Sequence, residues 1–142
     1  MSAEFFLDTN VLVYSFDQQA PGKAGKSREL IERALVEGRG CISWQVVHEF
    51  LNVALRRWER PMSMESARVY LQQTLVPLCR VLPNSRLWDE ALRLHQSARF
   101  SWYDSLIVAA ALESGAEVLY SEDLQDGYRV AGMTIRNPYA VT

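Results

Sequence analysis

Four acidic residues define the chemistry open to this sequence: Asp8, Glu49, Asp104 and Asp123. Asp8 follows the apolar run Phe5-Phe6-Leu7. Glu49 lies one to two helical turns past Cys41-Ile42-Ser43. Asp104 opens the apolar segment that runs to Leu112, and Asp123 lies just past Glu117–Tyr120. Each acid also has an ordinary structural use. Asp8 suits a helix cap, Glu49 a solvated helix position, and Asp123 an Asx turn. Ser101-Trp102-Tyr103-Asp104 fits a capping box with Asp in place of Glu. If the four converge, like charges would repel and some would stay protonated unless cations neutralise them. Oxygen ligands without histidine or cysteine suit Mg²⁺ or Mn²⁺ rather than Zn²⁺. Carboxylate-held metal of that kind is the usual apparatus for phosphodiester hydrolysis.

Convergence requires short strands that feed helices. Asp8-Thr9-Asn10 breaks the apolar run after Leu7, so a short strand and then a helix are expected. Pro21-Gly22 reads as a loop. Arg28–Glu37 carries a helical stripe closed by Gly38. Cys41–Ser43 reads as a strand. In Trp44–Trp58, Val47, Leu51, Ala54, Leu55 and Trp58 share one helical face, which puts Glu49 beside Asn52, Val53 and Arg56 on another. Further helices are expected over Ser63–Leu75, through Leu87, Ala91, Leu94 and Ala98, and over Tyr103–Glu113, the last apolar nearly all round and hence buried. Val81-Leu82, Glu117–Tyr120 and Thr134–Arg136 read as strands, with Ser121–Gly127 a loop. Strands alternating with helices argue for α/β architecture with a largely parallel sheet, where ligands sit beyond the carboxyl ends of the strands.

With 142 residues, 49% hydrophobic and 23% charged, the chain suits one globular domain over residues 1–142 rather than a disordered segment. Lys+Arg 15 against Asp+Glu 17 gives a net charge of −2. Tight nonspecific nucleic-acid binding therefore needs a local basic patch or bound cations. Arg56, Arg57 and Arg60 cluster at one helix end. Arg56 and Arg57 are candidate RNA-phosphate contacts, and a solvated end favoured by the helix dipole is the alternative. The longest apolar run, Leu106–Leu112, is far short of a membrane span. The N-terminus lacks the features of a signal peptide. Cys41 and Cys79 have no zinc-site spacing and read as buried reduced thiols, so a cytoplasmic location is expected. His48 and His95 read as core or surface residues, Glu122 as solvent-facing, and Asp126 as a solvated loop acid or a fifth ligand.

Several stretches resemble the motifs of PIN-domain nucleases. Phe6-Leu7-Asp8-Thr9-Asn10-Val11-Leu12-Val13-Tyr14 is similar to the opening motif, and Ser43-Trp44-Gln45-Val46-Val47-His48-Glu49-Phe50 to the second. The segment from Trp102 to Ala111 resembles the third, and Leu119–Gly127 the fourth. Ile135-Arg136-Asn137-Pro138-Tyr139 is similar to the Asn-Pro-aromatic close. The set runs in order over essentially the whole chain and is most similar to the VapC type, the toxin half of prokaryotic toxin–antitoxin pairs. The resemblance implies a PIN-like three-layer α/β/α domain with a central, mainly parallel sheet. It also implies a metal-dependent endoribonuclease using Mg²⁺ or Mn²⁺, with Asp8, Glu49, Asp104 and Asp123 as metal-binding acids. Thr9, Asn10 and Ser121 match polar positions near that site. The expected partners are RNA, a cognate antitoxin and a second copy in a homodimer, with no membrane. Phe16, Trp44, Phe50, Trp58, Trp88, Phe100, Trp102 and Tyr103 supply more aromatic surface than one small core needs, as an interface would. A haloacid-dehalogenase-type phosphotransferase needs a second Asp where Asn10 stands, and a receiver domain needs an acidic pair near its start and a late Lys, so both are set aside. One alternative remains. A PIN-fold module that binds RNA or a partner with little nuclease activity retains the same motifs.

Overall fold

The computed structural model describes residues 2–140. The element order begins β1 (Phe5–Leu7), α1 (Thr9–Tyr14), α2 (Pro21–Val36), β2 (Gly40–Ser43) and α3 (Trp44–Asn52), the last extended by a π turn over Val53–Arg57. It continues with α4 (Met64–Tyr70), a second π turn (Leu71–Leu75), α5 (Val76–Leu78), β3 (Cys79–Val81), α6 (Ser85–Ala98) and α7 (Trp102–Glu113). The chain closes with β4 (Val118–Tyr120), β5 (Arg129–Val130) and β6 (Met133–Arg136).

The strands form one sheet in the order β3-β2-β1-β4-β6-β5, parallel throughout except for the β5–β6 hairpin at one edge. A parallel strand covered on both faces has no polar side to show, which is why β1 reads Phe-Phe-Leu and all three residues are buried. Crossovers in such sheets are right-handed. From β1 to β2 to β3 the chain steps one way, which puts α1–α5 on one face; from β3 to β4 it steps back, which puts α6 and α7 on the other. The expected three-layer α/β/α arrangement follows. Gly40 is required where α2 closes on the sheet, since a Cβ there would collide with the Phe5 ring and sit 2.7 Å from the Ala34 Cβ. No described helix is long and apolar enough to cross a membrane.

Several local expectations change. Pro21-Gly22 is not a loop but the start of α2: proline is favoured at a helix's first position, where no backbone N–H is needed. The buried stripe of α3 is Val46, Phe50 and Ala54, one position off the expected Val47-Leu51 face, whose members are only partly buried. The helix after Ser63 runs on past Leu75 to Leu78. Pro77 has no N–H to give the preceding turn, and the backbone widens to π geometry just before it. The third strand is Cys79–Val81 rather than Val81-Leu82, and Cys79 is half-buried rather than buried. Strand β5 went unforeseen. Its two-residue link to β6, Ala131-Gly132, has φ of 48° and 88°, the turn geometry that matches the twist of a hairpin.

Candidate acidic site at the switch point

Strand β1 feeds β2 on one side and pairs with β4 on the other, so the strand order reverses beside β1. The crevice beyond the carboxyl ends of β1 and β4 is where parallel α/β sheets bind ligands. Asp8 stands at its floor. The parallel ladder carries one residue beyond β1, with Asp8 N–H donating to the Tyr120 carbonyl at 3.0 Å. Asp8 then caps α1, its Oδ1 accepting from Thr9 N–H at 2.7 Å. Its Oδ2 accepts from the Ser121 hydroxyl, also at 2.7 Å, at the end of β4. The residue is only 7% exposed. Burial pushes its pKa up to about 6; the hydrogen bonds from Ser121 and Thr9 pull it back, and the charges of Glu49 and Asp123 push it up again. Asp8 thus caps α1 while the charges of Glu49 and Asp123 reach it; Asp104 is not among the groups that shift it.

Glu49 comes from α3 and is held from two directions. The Thr9 hydroxyl donates to its Oε1 at 2.5 Å. Gln45, one turn earlier on α3, donates from Nε2 to its Oε2 at 3.1 Å and to the Tyr103 carbonyl at 3.0 Å. Gln45 therefore ties the helix of Glu49 to the first turn of α7, where Asp104 follows Tyr103. Gln45 was not singled out from sequence, although its i,i+4 spacing to Glu49 was there to find.

Asp104 is half-buried in that first turn. Its N–H donates to the Ser101 hydroxyl at 3.1 Å, one half of a capping box. Asp123 is exposed in the loop after β4 and reaches Asp8 through its charge. Asn10 has both amide atoms buried without a hydrogen-bond partner, as has the Ser43 hydroxyl at the end of β2. Such atoms call for a reason.

Other expectations fare differently. Glu122 does not face solvent; its carboxylate accepts from Tyr14 and Lys23, which holds its pKa below the usual range. Asp126 is exposed, but its Oδ1 accepts the Asn137 N–H at 2.8 Å and so anchors the final segment. Arg56 and Arg57 are exposed and, among the described residues, enter no ion pair. Arg56 lies within the π turn Val53–Arg57, so the α-helical spacing that set it on one face with Glu49 does not carry through. His48 is exposed, and His95 pairs through Nδ1 with the Phe100 carbonyl at 2.6 Å. Among the expected interface aromatics, Phe16, Trp88 and Tyr103 are exposed and Phe50 is wholly buried.

The donor set fits a hard divalent cation: oxygens alone, with one buried carboxylate whose charge is opposed by its neighbours. Among the described residues, however, no three acidic, histidine or cysteine side chains already stand close enough to enclose an ion.

The fold, a parallel α/β sheet with Asp8 buried beside the switch point, has counterparts among known proteins. The PIN domain matches residues 5–132, and the chain belongs to that family. PIN domains are in general nucleases that use divalent metals. No curated protein matches the chain. Among solved structures, the chain is similar to one described as FitAB bound to an IR36 DNA fragment, at 16% identity and a TM-score of 0.69, with 97% of each chain covered. It is also similar to a toxin–antitoxin complex from Klebsiella pneumoniae, at 17% identity and a TM-score of 0.68, covering 99% of this chain and 100% of the other. At such identities the likeness is one of fold.

Proposed function

We propose that this protein is a metal-dependent endoribonuclease and the VapC-type toxin component of a toxin–antitoxin pair, acting in the cytoplasm. The observation that carries the reading is Asp8. It is buried at the switch point, bonded to Ser121, and loaded by the charges of Glu49 and Asp123. A carboxylate placed at that cost suits a cation. Asp8, Glu49, Asp104 and Asp123 would hold Mg²⁺ or Mn²⁺. The bound ion would supply an activated water and neutralise charge developing on the phosphate.

The chain's own residues do the rest. Ser121 and Thr9 orient the carboxylates of Asp8 and Glu49, and Gln45 keeps α3 in register with α7. Both amide atoms of Asn10 are buried without a partner, so its supporting role rests on the family resemblance. Arg56 and Arg57 would hold RNA phosphates. We also propose a homodimer and a cognate antitoxin, on the family resemblance and the similarity to toxin–antitoxin structures. A groove of about 530 Å³ lined by Phe16, Ile31, Leu35 and Tyr70, with Arg28 and Glu32 also in its wall, is a candidate seat for an antitoxin segment, and a basic antitoxin side chain at the acids would pair with them and displace metal.

The test is purified protein with total cellular RNA in Mg²⁺, Mn²⁺ or excess EDTA, followed by mapping of cleaved ends. Metal-dependent cleavage is expected. Equal cleavage in EDTA overturns the metal mechanism, and RNA binding without cleavage supports the binding-module alternative. Expression alone in a prokaryotic host should arrest growth, whereas Asp8→Ala should not.

A further inference from the structure

Glu122 lies between the two residues of the β4 loop that address the acids, Ser121 and Asp123, and its own carboxylate is bound elsewhere. Its Oε1 accepts from the Tyr14 hydroxyl at 2.6 Å, and its Oε2 from Lys23 Nζ at 2.5 Å. Lys23 Nζ also lies 4.6 Å from the centre of the Tyr14 ring and 5.5 Å from that of Tyr139. The two rings meet edge to face at 5.2 Å. Tyr139 shares a hydrogen bond with the Ser27 hydroxyl at 2.6 Å, which returns the network to α2. An isolated ion pair at a surface contributes little. This one has side-chain exposures of 39% and 23%, and aromatic faces lie within cation–π range of its ammonium.

The network spans the molecule in a telling way. Tyr14 ends α1, the helix that begins with Asp8 as its cap and with Thr9, the donor to Glu49. The loop of Glu122 begins with Ser121, the donor to Asp8. The two ends of α1 are thus fastened to the same loop, one through Asp8 and Ser121, the other through Tyr14 and Glu122. We infer that Lys23, Tyr14 and Glu122 form a latch that fixes the loop carrying Ser121 and Asp123 against α1 and α2, making Lys23 and Glu122 positioning residues for the acidic site. The effect on cleavage rests on the nuclease reading. The effect on the loop does not.

The experiment uses the full chain with Lys23→Met, Glu122→Gln and Lys23→Arg. Amide hydrogen exchange is measured without metal at Ser121, whose N–H donates to the Arg136 carbonyl, and at Leu124, whose N–H donates to the Ser121 hydroxyl. Lys23→Met and Glu122→Gln should exchange roughly 10-fold faster there, with the buried amides of α7 unchanged. With RNA and Mn²⁺, both should lose roughly 10–100-fold in kcat at near-constant KM, and Lys23→Arg should recover most of it. Unchanged exchange at Ser121 and Leu124 overturns the latch. So does acceleration spread evenly over the chain, which would mark a general loss of stability. A raised KM at constant kcat also overturns it and makes Lys23 a phosphate contact. If the wild type cleaves no RNA, the nuclease reading falls and the exchange data alone decide the latch.

Discussion

Asp8 and Asp104 both sit at the start of a helix, yet the two helix starts are built differently. Asp8 is enclosed, and each of its carboxylate oxygens accepts a hydrogen bond. Asp104 is half-exposed, and its tie to Ser101 runs through its backbone N–H. Enclosure makes the first carboxylate sensitive to its ionisation. Exposure leaves the second free to move without disturbing the core. On the proposed reading, one site would contain a fixed acid, costly in the absence of a cation, and an adaptable one that is cheap.

The largest expected effect lies at Asp8. A raised folded pKa means the fold favours the protonated acid, so the contribution of Asp8 to stability is greatest below the ordinary value of 3.8 and is lost as pH rises through about 6. Asp8→Asn should therefore stabilise metal-free protein at pH 7.5, by on the order of 3 kcal/mol at most, and so raise its Tm. The gain should vanish toward pH 4. RNA cleavage should fall by about 10³-fold or more. Thermal melts across pH decide the matter: a gain independent of pH would mean that burial of charge is not the cause.

Asp104 should behave differently. Asp104→Asn should reduce cleavage severely while moving the Tm less than the Asp8 change does. Ser101→Ala should do the reverse, costing about 1 kcal/mol of stability through the lost cap and leaving activity within a few-fold. Should Asp104→Asn instead destabilise the fold and spare activity, the residue is a capping group and the contrast collapses.

The sequence carried the frame of this comparison further than its details. The strand ends at Leu7 and Tyr120, and the buried helix that follows Ser101, were legible because apolar runs end abruptly in residues that favour caps and turns. What escaped was set by tertiary neighbours. Nothing local to Glu122 announces Lys23 or Tyr14, since the three meet only through the topology. Periodicity fitted α3 almost as well one residue out of register. Strand β5 is two residues long, too short for any alternation to show, and its turn is Ala-Gly rather than the more telling Asn-Gly.

The smallest expected effect concerns the basic residues outside both acids. If Arg56 holds a phosphate, Arg56→Ala should weaken RNA binding and lower the salt slope by about 1. Titrations over a range of ionic strength measure it. An unchanged slope leaves Arg56 as part of a solvated helix end, a reading favoured by its place within the π turn.

The short hairpin has one more consequence. A sheet edge with free backbone groups invites another chain to add a strand. Here one margin is the two-residue β5, reversed in direction and turned through Ala131 and Gly132, and the other is the three-residue β3, with Pro83 close behind. Neither offers an extended ladder to copy. Strand addition by another chain is thereby disfavoured, and the surfaces left for any contact are helical, where recognition depends on shape and charge rather than on backbone.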